Sequence, residues 1–170
     1  MDIDKIVSKI FNEYKDSNQK TFYPLVKDLF TIIDFKCELP RKGVNYERWD
    51  AIIKHPEKSI PIEIKSPGEE IFISVKAIRQ ALENKIILLS RKTYKTEYDI
   101  PSLVVGYKLP NKRSEVENLL IDIESTYNIK IAIFGLKSLL ELAVKKVLLN
   151  KNINKSDFYN LGGLINVKDF

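Results

Sequence analysis

Sulfur and imidazole are nearly missing from this chain, which has one cysteine (Cys37), one methionine and one histidine (His55) in 170 residues. A lone cysteine excludes an intrachain disulfide and fits a reducing, cytoplasmic setting. With a single histidine beside it, a zinc site built from this chain is not expected. Any bound metal should be held by oxygen, which favours Mg²⁺, with Mn²⁺ as a substitute. No apolar run approaches the roughly 18 residues that a membrane helix requires. Met1-Asp2-Ile3-Asp4 lacks the pattern of a signal peptide, so no membrane partner is expected. Internal repeats, low-complexity tracts and linkers are absent as well.

What remains has the composition of an ordinary soluble globular protein: 44% hydrophobic and 30% charged residues, with a net charge of +5. The length suits one domain with a real core and is short for two. The positive balance permits a polyanionic partner without requiring one. Ile3, Ile6, Val7, Ile10, Phe11 and Tyr14 recur at helical spacing and predict a helix over 3–16. A second helix is predicted over 22–33, with Pro24 in its first turn. A strand near 35–39 follows, then strands at 49–53 and 60–65. Ser74 is the expected N-cap of a helix to about 89, and residues 91–100 read as a loop. A strand at 101–107, a helix opened by the capping box Ser114-Glu115-Val116-Glu117, a strand at 129–134, a helix at 136–149 and a short helix at 156–161 complete the order. Such an order predicts a single compact α/β domain over 1–170, a mixed central sheet flanked by helices. Within it, 1–19 is an N-terminal helix, 20–135 the core and 136–170 the C-terminal helices.

The chemistry is concentrated at one hairpin. The runs Trp49-Asp50-Ala51-Ile52-Ile53 and Ile60-Pro61-Ile62-Glu63-Ile64-Lys65 flank a polar, proline-bearing loop, as two paired strands would. Residues two apart share a strand face, so Glu63 and Lys65 point one way while Ile60, Ile62 and Ile64 point the other. Pairing then brings Asp50 near Glu63 at one end of the sheet. Two carboxylates and an ammonium meeting there are the outline of a metal-dependent hydrolytic site. A divalent cation on such carboxylates lowers the pKa of bound water and neutralises phosphate oxygens. Asp50 and Glu63 are the expected ligands, with the main-chain carbonyl of Ile64, and Lys65 would orient the attacking water.

Asp50, thirteen residues and then Glu63-Ile64-Lys65 resembles the catalytic core of the PD-(D/E)xK nuclease superfamily, of restriction-endonuclease-like fold. Trp49 stands where many members have proline. Some members add an acid on the helix before the first strand; Thr21-Phe22-Tyr23-Pro24 offers none, leaving Glu13, Glu69 or Glu70 as substitutes. The stretch Ile131-Ala132-Ile133-Phe134-Gly135-Leu136-Lys137-Ser138-Leu139-Leu140-Glu141-Leu142 resembles the end of the cleavage domains of Type IIS restriction endonucleases. The resemblance implies a Mg²⁺-dependent endodeoxyribonuclease that nicks one strand of double-stranded DNA and leaves 5′-phosphate ends. Sequence recognition would then lie on a large partner subunit, or two copies would act as a homodimer. A structure-selective nuclease such as a Holliday-junction resolvase is the rival enzyme, and a noncatalytic DNA- or protein-binding subunit the rival of another class.

Lys76 and Arg79, early in the helix after Lys65, and Lys42 and Arg48, leading to Asp50, are the expected phosphate contacts; solubilising surface charge is the plainer alternative. Arg91, Lys92 and Lys95 interleave with Tyr94 and Tyr98 in a pattern that fits a nucleic-acid contact as well as an exposed loop. His55 reads as a turn residue rather than a base, and Trp49 as packing.

Overall fold

The computed structural model describes residues 2–44 and 46–170. Its centre is a six-stranded mixed sheet in the order β1-β2-β3-β4-β5-β6. The strands are β1 (Cys37–Glu38), β2 (Ala51–Ile53), β3 (Ile60–Lys65), β4 (Ser102–Gly106), β5 (Ile131–Gly135) and β6 (Gly163–Leu164). The pairs β1–β2 and β2–β3 are antiparallel, and β3 to β6 run parallel. The helices are α1 (Ile3–Glu13), α2 (Gln19–Ile32), α3 (Val75–Ser90), α4 (Val116–Tyr127), α5 (Leu136–Leu149) and α6 (Lys155–Phe158), and a 3-10 turn closes the chain at Val167–Asp169.

The alternation of β3 divides the molecule. Ile60, Ile62 and Ile64 enter the larger core, which also holds residues of α1, α2 and α5. Each is fully buried, a burial that stabilises by about 1.5–3 kcal/mol per side chain. On the other face α3 and α4 form a second core with Val104, Ile131 and Ile133. Glu63 and Lys65 point to that face, where α3 covers β3.

Three expectations need correction. α2 starts at Gln19 rather than 22, so Pro24 lies inside the helix and deprives the Lys20 carbonyl of its usual donor. The expected capping box is not formed: Glu115 is the N-cap of α4 without a side-chain cap bond, and the Asn111 side chain organises the preceding turn by accepting the Arg113 N–H. β6 follows the expected short helix where no strand is predicted, because a strand of two residues carries no periodicity. Ser74 does cap α3 by position, but its hydroxyl donates to Glu70 at 2.8 Å rather than capping the helix. Among the described residues no helix is long and apolar enough to cross a membrane.

Candidate active site

The β2–β3 register decides where Asp50 lies. Ala51 pairs with Ile62, which sets Asp50 opposite Glu63 one step further along. There the ladder is completed partly by a side chain. The Asp50 N–H donates to the Ile62 carbonyl at 3.0 Å, and Asp50 Oδ2 accepts the Ile64 N–H at 2.8 Å. The two bonds bracket Glu63 and hold the carboxylates at the same end of the hairpin. Ile64 keeps its side chain in the core while its main chain runs between the two acids.

Glu63 is buried and held at both oxygens. Its Oε1 takes the Lys65 ammonium at 2.9 Å, and its Oε2 accepts from Asn84 Nδ2 at 2.9 Å. A carboxylate accepts about four hydrogen bonds, so each oxygen keeps a lone pair for a cation. Asn84 is 3% exposed and reaches Glu63 from α3. Burial, and then the nearby Glu63 charge, push the Asp50 carboxyl up to about 7, against the Ile64 hydrogen bond and Lys65, which pull it down. Burial also pulls the Lys65 ammonium down, but its hydrogen bond to Glu63 and the surrounding carboxylates prevail and leave it raised.

These groups open on a pocket of about 260 Å³ lined by Gln19, Tyr23, Arg48, Asp50, Glu63, Lys65, Glu69, Gln80, Glu83 and Asn84. Four carboxylates face two cations there. Glu69, one of the substitutes for an additional acid, is tied up: it accepts from Ser66 N at 2.8 Å, Ser66 Oγ at 2.9 Å, Gln19 Nε2 at 2.7 Å and Tyr23 OH at 3.1 Å. Burial opposes that charge, and these donors outweigh it and hold Glu69 below its ordinary range. Glu70 accepts from Ser74 instead, and Glu13, at the end of α1, is not among the lining residues.

No family model, curated protein or solved structure matches this chain.

Of the expected phosphate contacts, Arg48 lines the pocket. Lys76 and Arg79 are exposed one helical turn before Gln80 and Glu83, on the same side of α3. Lys42 is exposed in the turn before β2 and does not line the pocket. His55 serves its turn, its Nδ1 accepting the N–H groups of Glu57 and Lys58 at 3.1 and 3.0 Å. Trp49 is buried against Ile52 and Leu88, with Tyr94 edge-on at 5.8 Å. Sequence reading missed Asn84, Gln80 and Glu83. The available signal was a pair of amides four residues apart in a helix interior, where Asn is intrinsically unfavourable.

Among the described residues no three His, Cys, Asp or Glu side chains gather as a metal cluster. A cation here would therefore rest on two carboxylates with neutral oxygens completing its shell. The surroundings suit that chemistry: Asp50 and Glu63 repel each other, and Gln80 Oε1 is buried with no partner in the same acidic pocket. All of these are hard oxygen donors of the kind Mg²⁺ and Mn²⁺ accept.

Proposed function

We propose that the chain is a Mg²⁺-dependent endodeoxyribonuclease of the PD-(D/E)xK type, with a restriction-endonuclease-like fold. The observation that carries this reading is the clamping of Asp50 opposite Glu63, with Lys65 on the Glu63 carboxylate, at the mouth of an open acidic pocket. An antiparallel hairpin continued by parallel strands between helical layers supports it. A divalent cation on Asp50, Glu63 and the Ile64 carbonyl would supply charge relief at a phosphorane-like transition state and a more acidic water.

The chain's own groups do the rest. Asp50 and Glu63 fix the position of that charge, and Asn84 holds Glu63 in its rotamer. Lys65 adds a compact positive charge beside the attacked phosphorus and orients the water. In the hydrolysis a water oxygen bonds to phosphorus and the bridging 3′ oxygen leaves with a proton, giving 5′-phosphate and 3′-hydroxyl ends. Arg48 at the rim meets a neighbouring phosphate, and Lys76 and Arg79 extend that contact along α3. One site cuts one strand, so double-strand cleavage takes a second copy or a large subunit that carries recognition, as in Type IIS restriction endonucleases.

The test is nicking of supercoiled plasmid in millimolar Mg²⁺ by wild type, Asp50→Ala and Lys65→Ala. Wild type should nick, both variants should lose the activity, and chelation should abolish it. Equal nicking by wild type and Asp50→Ala would overturn the assignment. Preference for a four-way junction over linear duplex would replace the restriction-type reading with a resolvase.

A further inference from the structure

The catalytic pocket sets four carboxylates against two cations although the chain is basic, so beyond the rim contacts of Arg48, Lys76 and Arg79 most of the positive charge lies elsewhere. At the other end of the β2–β3 hairpin, two adjoining grooves of about 620 and 550 Å³ share Lys36, Lys54 and His55. Their linings bring together six cations, Lys36, Arg41, Lys54, Lys92, Lys95 and Lys155. The one carboxylate among them, Asp34, is engaged by Lys146 at 2.6 Å. Lys54 and Lys95 also meet Glu38 and Glu57, at 3.2 and 3.4 Å, through exposed ion pairs that cost little to exchange for phosphate. Aromatic rings stand in the walls, with Lys54 over Tyr94 at 5.6 Å and Lys155 over Phe35 at 5.8 Å.

The walls are also fixed in place. Ser59 N–H donates to the Lys95 carbonyl at 2.9 Å and ties the hairpin loop to the 91–100 loop. From below, the buried Lys85 ammonium donates to Thr96 Oγ1 at 3.0 Å and to the Glu97 carbonyl at 2.6 Å. Burying an ammonium is costly, and here it holds the segment that presents Lys92, Tyr94 and Lys95.

We propose that this basic, aromatic-walled groove is a DNA-backbone binding surface separate from the scission site. It rests on the nuclease reading in one respect, the choice of DNA as the polyanion. The three residues of β2 separate Asp50 from Lys54, so four steps of extended chain, about 13 Å, lie between them. A duplex lying along this edge would place phosphates in the groove about four base pairs from the one at Asp50. The groove supplies sequence-independent affinity, and the acidic pocket receives the strand only once the backbone is held.

The experiment measures binding of labelled duplex DNA, and separately of polyglutamate, to the full chain by fluorescence anisotropy, in chelator, across a salt series. The groove variant is Lys36→Gln, Lys92→Gln, Lys155→Gln, and the charge-matched control is Lys5→Gln, Lys9→Gln, Lys15→Gln on α1 and the turn after it. All six positions are exposed, and thermal melts confirm folding. The groove variant should lose at least about tenfold in affinity for DNA, and its slope of log K against log salt should flatten by about 2.7, while the control stays within about twofold of wild type. Wild-type affinity in the groove variant overturns the inference and leaves the nuclease reading intact. Loss of polyglutamate binding with DNA binding unchanged also overturns it, in favour of an acidic protein partner. Groove-dependent DNA binding by a protein that never nicks supports the inference and removes the nuclease reading instead.

Discussion

Replacing Asp50 with asparagine should abolish nicking and at the same time stabilise the metal-free protein. The carboxamide oxygen introduced by D50N can still accept the Ile64 N–H that Asp50 Oδ2 now takes at 2.8 Å, so the hairpin keeps its clamp. What disappears is a half-buried negative charge facing Glu63. The Asp50 carboxyl moves from its ordinary 3.8 to about 7 on folding, which at about 1.4 kcal/mol per tenfold amounts to about 4 kcal/mol. Water entering the open pocket reduces that figure, so the expected gain for D50N is about 2–4 kcal/mol, or about 5–15 °C in Tm.

The pH dependence fixes the sign. Below about 3.8 the group is protonated in folded and unfolded chains alike, and the two proteins should be separated by nothing from this source. Between 3.8 and about 7 the unfolded chain gives up the proton and the folded chain retains it, so wild-type stability falls as pH rises. Above about 7 the loss is complete, and the D50N advantage should stay constant. Thermal melts in chelator from about pH 4 to about pH 8 measure this, with circular dichroism to show an unchanged fold. Added Mg²⁺ should raise the wild-type Tm and leave D50N where it is. A D50N protein that melts at or below wild type at about pH 8, with its fold intact, would refute the claim that a charged Asp50, buried and facing Glu63, costs stability.

Three further substitutions probe the supporting structure. Asn84→Ala removes a buried hydrogen bond to a charged acceptor; it should cost about 1.5–3 kcal/mol in chemical denaturation and lower nicking by about 10–100-fold. Gly106→Ala would drive a Cβ into the buried Ile73 side chain, opposite Lys65 in the β3–β4 register, so a loss of about 1–3 kcal/mol is expected with reduced nicking; an unchanged Tm would show that Ile73 yields freely. Burial, opposed by Asp99 and Glu97, holds the Lys85 ammonium down at about 8 from 10.5, so wild-type stability should climb as pH rises between those values. Lys85→Met should flatten that climb in urea melts and raise stability near neutrality by about 1 kcal/mol, and a steeper climb would contradict the assignment.

How far these features could be read from the chain depended on whether a residue served a pattern. The β2–β3 hairpin was legible because a polar loop separates two apolar runs and because Ile60, Ile62 and Ile64 share one parity. The bounds of α5 were legible because its apolar stripe recurs from Leu136 to Leu149. The early start of α2 was not, since Gln19, Lys20 and Thr21 carry no apolar period; yet those residues place Gln19 and Tyr23 against Glu69. Asn84 and Gln80 were hidden for a related reason. Pattern reading assigns a polar helix position to solvent, whereas here a polar face of α3 covers a polar site. Pairing of Asp50 with Glu63 followed from the hairpin, but the use of the Asp50 side chain to complete the ladder depends on atomic geometry that no spacing encodes.

The hairpin thus separates charge as well as positioning it. One end of β2 carries Asp50 beside Glu63, where burial and then repulsion cost stability and leave a place suited to a cation. The other end carries Lys54 beside Lys36, with the Lys54 N–H donating to the Lys36 carbonyl at 2.7 Å. A polyanion approaching the acidic end alone would be repelled, and one held only at the basic end would lie about 13 Å from the reacting groups. On the proposed reading, affinity and chemistry therefore belong to opposite ends of β2. Neutralising the basic end should weaken binding most at low salt, with the deficit shrinking as salt rises, without altering the turnover of bound DNA, while D50N should leave binding intact and remove turnover.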